Sequence, residues 1–318
     1  MKSLGVIAVA LVLAGCGSST AGVGQGGGDV NTHDGAGHAL VLQGRVALGT
    51  PVAGATVRAL VNEEDGSWRE VSEGISDDGG IFEVTVPADR VHRPLRLVAT
   101  GETAQYTEAA DGATVTLGAT ARLVVDLEAA TTHEGTVVHL SAWTTLAGCV
   151  ADAYAAGHQV DGGIGWTEAT LLARRRIRDH LAGTSDLDLP ATAPSDLSMG
   201  PWPYPNPSTT LGLAAAGLSG LVRFGEGPPG TSAALVAHLC RDLSDGLFDG
   251  VETVDAGPRP LTAPPGIPVL DPDTTRFALA AATHAFLGSP RDASGVAEPE
   301  LAAPGGYYVT ISFDDGPL

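Results

Sequence analysis

Residues 42–60 read LQGRVALGTPVAGATVRAL, and residues 76–86 read SDDGGIFEVTV. Apolar side chains recur at every second position in both, and Gly, Pro and Asp interrupt the runs. A period of two puts one set of side chains on a single face of a strand. Working outward, the same pattern gives candidate strands at 40–48, 55–62, 68–72, 81–86, 95–100, 114–117 and 122–127. Between them, Thr50-Pro51, Asp65-Gly66, Asp77-Asp78-Gly79-Gly80 and Asp111-Gly112 supply turn chemistry. Short strands at this spacing predict a small antiparallel β-sandwich over residues 39–128. Residues 129–139 then form a linker or a last strand.

Beyond residue 140 the period changes to 3.6. SAWTTLAGCVADAYAAG (141–157) places Trp143, Leu146, Val150 and Tyr154 on one face, with Ser141 as N-cap and Gly157 as stop. TEATLLARRRIRDHLAG (167–183) is expected to start at Thr167. Asn206-Pro207 and Asp271-Pro272 each open a further helix with Pro at its first position, and TSAALVAHLCRDLSDG (231–246) supplies another. The prediction is an all-α helical domain over 140–288, followed by a C-terminal extension, 289–318, with a terminal strand. The Pro-rich link at 187–207 is expected to wrap the surface. The fold class expected is therefore multidomain β + α.

Residues Gly44, Val46, Pro51, Val52, Gly54, Ala55, Val57, Asp77, Gly80 and Phe82 resemble the pattern of the carboxypeptidase regulatory-like domain, a transthyretin-like β-sandwich. That resemblance implies structural roles for these positions, with Gly and Asp shaping turns and Phe82 filling the core. It implies no catalytic residue, and such modules serve as spacers or interaction domains. LSAWTTLAG (140–148), RDLSDGLFDG (241–250) and RFALAAATHAFLGSPRDASG (276–295) resemble uncharacterised helical regions of large secreted and lipid-anchored bacterial proteins.

The N-terminus reads MKSLGVIAVALVLAGCGSS. Lys2 precedes an apolar run from Leu4 to Ala14 that is too short to span a bilayer, the layout of a secretory signal. Leu13-Ala14-Gly15-Cys16 resembles the lipobox of bacterial lipoproteins. The resemblance implies that residues 1–15 are removed as signal peptide and that Cys16 carries a diacylglycerol and an acylated amine. Gly17, rather than Asp, points to the outer membrane. Residues 16–38 are Gly- and Ser-rich and form a flexible tether; its His33, and His38 at its end, read as solvated.

The chain has 318 residues with 17 Lys and Arg against 37 Asp and Glu, a formal charge of −20. Nucleic-acid binding needs a basic footprint and is excluded on that ground. The expected partners are the membrane, through the anchor, and an envelope protein or glycan.

Several residues are candidates for chemistry. Cys149 and Cys240 form a disulfide in an exported protein, or pack as buried thiols. In RDLSDGLFDGVE (241–252), Asp245, Asp249 and Glu252 fall at positions 5, 9 and 12 of a calcium loop, whereas Arg241 and Leu243 occupy positions where carboxylates belong. The bland reading is an acidic helix end. Arg174 to Arg178 (RRRIR) could hold an anion, or pair with carboxylates on a solvated face.

Residues 313–317, FDDGP, resemble the first motif of metal-dependent polysaccharide deacetylases, with Asp314 as base and Asp315 as metal ligand. No His-x-x-x-His, which would complete such a site, occurs in the sequence, and neither do Gly-x-Ser-x-Gly, His-Glu-x-x-His or Cys-x-x-Cys. The expectation is a non-enzymatic, lipid-anchored surface protein that binds, adheres or scaffolds. The alternatives are a deacetylase fragment and a calcium-responsive binding module.

Overall fold

The computed structural model describes residues 39–129, 135–157, 164–180, 187–204, 206–224, 228–254, 257–269 and 272–296. All of them belong to one compact unit, residues 37–318. Cys16, His33, His38 and the FDDGP stretch lie outside the described residues.

The order begins with seven strands: β1 (Leu40–Val46), β2 (Thr56–Asn62), β3 (Trp68–Ile75), β4 (Ile81–Val86), β5 (Leu95–Thr107), β6 (Thr114–Leu127) and β7 (Val137–Leu140). Four helices follow: α1 (Ala142–Ala155), α2 (Trp166–His180), α3 (Pro207–Arg223) and α4 (Ser232–Asp242). A short hairpin, β8 (Val251–Val254) and β9 (Gly257–Pro260), precedes α5 (Pro272–Leu287). The protein is thus a mixed β and α fold.

The strands form two sheets, ordered β4-β1-β7 and β3-β2-β5-β6. Most pairings are antiparallel, but β7 runs parallel to β1, with Gly44 opposite Val138. Within residues 39–128 the pairings are antiparallel, as expected; the parallel strand β7 lies in the following stretch, which the sequence left as a linker or a last strand. The two predicted strands at 114–117 and 122–127 are one strand, β6, which passes through Gly118 at φ 87°.

Local chemistry explains the turns and close approaches. Asp77 accepts hydrogen bonds from the backbone N–H groups of Gly79 and Ile81, which closes the turn into β4. Gly80 follows at φ 73°, a conformation that favours glycine. A Cβ on Gly44 would lie 1.5 Å from the Val138 carbonyl oxygen, so only glycine lets β7 come alongside. Phe82 is 2% exposed and fills the core beneath it.

Strands β1 and β4 alternate buried and exposed residues, as one-sided strands do. The end of β6 does not: Leu123 through Leu127 are all buried. Helix α1 covers the outer face there, so both faces of the strand are dry. Gly148 permits the close approach, since a Cβ would meet Val124 and the Asp126 carboxylate at 3.2 Å. The helix also bonds to the strand directly. The Val124 N–H donates to Thr145 Oγ1, which donates in turn to the Ser141 carbonyl.

Helix α1 begins with the predicted Ser141 cap, in a capping box with Thr144. Twelve of its fourteen residues are buried, including Trp143 and Tyr154; fully burying a large apolar side chain contributes about 1.5–3 kcal/mol. Helix α2 starts at Trp166 rather than after Thr167, its first turn closing from the Ala169 N–H to the Gly165 carbonyl. The Pro-rich link departs from the surface path expected of it. Leu187, Leu189 and Leu197 insert into the core, which makes the segment part of the packing.

Candidate functional site

Two polar clusters tie the helices to the sheets and set up the site between them. At the first, Arg96 on β5 lies across the Asp126 carboxylate on β6, with Nε donating at 2.6 Å and Nη2 at 3.0 Å. Its guanidinium also reaches Asp152 on α1 at 3.0 Å. Trp68 and Trp166 flank it with ring centroids at 5.0 and 4.6 Å. Burial opposes the arginine's charge, but Asp126 and Asp152 outweigh it and raise the Arg96 pKa. This cation is therefore permanent, and it locks β3, β5, β6, α1 and α2 together.

At the second cluster, the fully buried Glu108 accepts hydrogen bonds from the Ser232 N–H and hydroxyl at the start of α4 and from the Tyr106 hydroxyl. The carboxylate sits where the helix dipole favours negative charge. Burial and the neighbouring Glu108 both push the Tyr106 hydroxyl pKa up, so it remains a donor.

With α1 and α4 fixed at these points, a groove of about 800 Å³ lies between them and the outer end of β6. One wall is α1, with Cys149, Asp152, Ala153 and Ala156; the other is α4, with Ala234, Ala237, His238, Cys240 and Arg241. Thr120 and Arg122 of β6, Ser244 and Pro264 complete the lining. The small side chains leave the space open, and its size is typical of a site for a small organic molecule.

The two cysteines are joined. Cys149 and Cys240 form a disulfide with Sγ atoms 2.11 Å apart and Cα atoms 5.5 Å apart, linking α1 to α4 across the groove. His238 is 3% exposed, and its buried Nδ1 has no hydrogen-bond partner among the described residues. Burial and the Arg241 charge lower its pKa against the opposing pull of Glu252, which favours the neutral imidazole. No hydrogen bond joins it to Ser244 among the described residues. Asp152 is already held by Arg96, whereas Arg122 has no ion-pair or hydrogen-bond partner among the described residues.

The calcium candidates fall on the loop after α4 and do not converge. Asp245 accepts from the Leu247 N–H at 2.9 Å and from the Thr253 hydroxyl at 3.3 Å. Asp249 accepts from the Val251 N–H at 3.0 Å. Glu252 is bound by Arg241 at 2.8 Å and Arg259 at 2.7 Å, and these contacts outweigh the penalty of burial to hold its pKa low. Among the described residues, no group of three or more His, Cys, Asp or Glu is placed to hold a metal ion.

The arginine run is likewise paired, Arg174 and Arg176 in partly buried contacts and Arg175 and Arg178 on the solvated face. Arg174 pairs with Glu128 at 2.7 Å, and both Arg175 and Arg178 lean on Asp179. Arg176 donates to the Tyr154 hydroxyl at 2.8 Å and the Gly246 carbonyl at 2.9 Å.

Sequence reasoning missed three residues. Asp242 is fully buried; its Oδ1 accepts from the Asp249 and Gly250 N–H groups while Oδ2 has no partner among the described residues. Burial pushes its pKa up to about 6. Arg122 and His238 face the groove, but nothing in their local sequence marks them. The available signal was indirect: Leu123-Val124-Val125 in β6 breaks the alternation of a one-sided strand, which points to a cover on its outer face.

No family model matches the chain, and no curated protein sequence matches it. Two solved structures share limited geometry. The major plantain pollen allergen Pla l 1 aligns at 16% identity over 33% of this chain and 90% of its own, with a TM-score of 0.21. A 9R-lipoxygenase from Cyanothece PCC8801 aligns at 10% identity over 64% of this chain and 24% of its own, with a TM-score of 0.18. Scores this low carry no argument about fold or function.

Proposed function

We propose that this chain is an exported, lipid-anchored protein of the bacterial outer membrane that binds a ligand without transforming it. In this reading Cys16 carries the lipid and residues 16–38 are the tether. A carboxypeptidase regulatory-like β-sandwich, residues 39–128, acts as spacer and support for a helical domain, residues 140–288. The residues that carry the family resemblance serve turns and core here, which supports the spacer role: Asp77 closes a turn, Gly80 takes a positive φ and Phe82 is buried.

The observation that carries the binding reading is the groove of about 800 Å³ between α1 and α4, spanned by the Cys149–Cys240 disulfide. Disulfides persist in oxidising compartments, so this bond also supports export. The groove is lined by small apolar side chains with a few polar groups among them, the composition of a binding site.

The test uses the full chain and its Cys16→Ser form in a Gram-negative host. The wild type is expected in the outer-membrane fraction, labelled by palmitate, and the variant in the soluble periplasmic fraction. A wild type as soluble and unlabelled as the variant overturns the anchor. For the groove, small molecules extracted from purified Cys16→Ser protein are compared with those from an additional Ala237→Trp variant. A molecule retained by the first and lost by the second is expected; identical extracts overturn binding at the groove.

A further inference from the structure

We propose that the groove takes an anionic amphiphile, a single hydrocarbon chain ending in a carboxylate. This rests on the binding reading above and names its ligand class.

Charge is the first argument. The whole chain carries −20, yet the groove has two guanidiniums, Arg122 and Arg241, against one carboxylate. That carboxylate, Asp152, is neutralised by Arg96 at 3.0 Å. Arg241 is held at its outer end by Glu252, but its side chain remains 45% exposed. Arg122 is exposed at the groove and has no ion-pair or hydrogen-bond partner among the described residues. An exposed arginine without a carboxylate partner in a strongly acidic protein is open to an anion, and guanidinium matches carboxylate geometry in a bidentate pair. With Asp152 paired to Arg96 and Arg241 to Glu252, Arg122 is the unbalanced charge of the groove, and it disfavours a cationic ligand.

Shape is the second argument. A carboxylate alone fills little of about 800 Å³, and four alanines, Pro264 and the disulfide give the groove an apolar stretch beside its polar groups. Ala153 and Ala156 line one wall and Ala234 and Ala237 the other, with the disulfide between. Alanines on both helical walls leave the space between α1 and α4 open to an extended chain. Burial of that chain supplies affinity in proportion to the apolar area covered.

The experiment is calorimetric titration of the full chain carrying Cys16→Ser, which removes acyl groups that would compete for the groove. The probes are dodecanoate, dodecanol and dodecyltrimethylammonium, each below its aggregation concentration. Dodecanoate is expected to bind at one site, about tenfold or more tighter than either other probe, the typical worth of a charge-assisted hydrogen bond. Arg122→Gln should weaken dodecanoate by about tenfold and leave dodecanol unchanged. Ala237→Trp should abolish dodecanoate binding at an unchanged melting temperature; Ala156→Leu, on the opposite wall, serves the same purpose should the first variant not fold.

Equal affinity for all three probes, or an unaffected Arg122→Gln, overturns the anionic assignment and leaves the groove as a binding site. Dodecanoate binding that survives both wall variants overturns the assignment and the groove together. Absence of dodecanoate binding overturns the assignment alone, since the extraction experiment judges the groove independently.

Discussion

Removing the disulfide in the Cys149→Ala/Cys240→Ala double variant should cost a large share of the protein's stability. The two cysteines are 91 residues apart in sequence. Closing a loop of that length removes enough entropy from the unfolded chain to stabilise the native state by about 4–5 kcal/mol. For a chain of this size that is a fall in melting temperature of roughly 10 °C or more. Alanine avoids leaving a reactive thiol, and both positions are small enough to collapse around it. Calorimetry on the oxidised Cys16→Ser chain, the same chain with reductant and the double variant gives the comparison. Thiol titration of the unfolded, oxidised chain should find no free thiol. The double variant and the reduced chain should melt together, well below the oxidised one. A shift smaller than about 2 °C, or two free thiols before reduction, would refute the claim that this bond holds α1 to α4.

Four further outcomes follow from particular contacts. Arg96→Ala leaves the Asp126 carboxylate buried at 3% exposure without its cation, and should destabilise the fold by about 3–5 kcal/mol in denaturant titrations. For Asp242, whose pKa rises from 3.8 to about 6 on folding, the native state holds more protons across that window. Its contribution therefore falls as pH rises from about 4 to 6, and Asp242→Asn should flatten the slope and be more stable than wild type at pH 7. His139 works in the opposite sense: burial, then Arg45, lower its pKa from 6.5 to about 4, so stability is lost as pH falls through that range, and His139→Gln should reduce the acid loss. Gly44→Ala drives a Cβ into the Val138 carbonyl and should separate β7 from β1, read as lost amide protection at Val138 and Leu140.

Much of the fold was legible because its signals are local. Ile81–Val86 has the same bounds in the pattern and in the structure, since a clean alternation and the Asp77 turn define both ends. The helices begin where Ser141 and Asn206-Pro207 announce them, because capping is a property of a few adjacent residues. Long-range features were not legible. Nothing in VVHL (137–140) says that it returns parallel to β1; the Gly44–Val138 approach does, and that is a contact between distant segments. The β8–β9 hairpin was missed because Pro258 and Pro260 argue against a strand, yet a short two-stranded edge tolerates them. The Pro-rich link looked superficial because its three buried leucines are spaced too widely to show a period.

The candidate site was less legible still. Both cysteines stood out, being rare, and their residue type carries the chemistry. The acidic loop after α4 drew attention to Asp245, Asp249 and Glu252, but those carboxylates serve neighbouring N–H groups, a hydroxyl and two arginines. Arg122 and His238 acquire meaning only when α4 is laid beside β6 and α1. Helix packing of that kind depends on where small residues fall on each helix, and here Ala153, Ala156, Ala234 and Ala237 line the groove.

The central claim, that the space between α1 and α4 is a ligand site, is tested most directly by nuclear magnetic resonance. Dodecanoate is titrated into isotopically labelled Cys16→Ser chain, and every assigned amide and side-chain signal is followed. The account predicts saturable shifts concentrated at Arg122, Ala153, Ala237 and His238, with nuclear Overhauser contacts from the alanine methyls to the hydrocarbon chain. Shifts scattered over the surface, or clustered away from those residues, would contradict it.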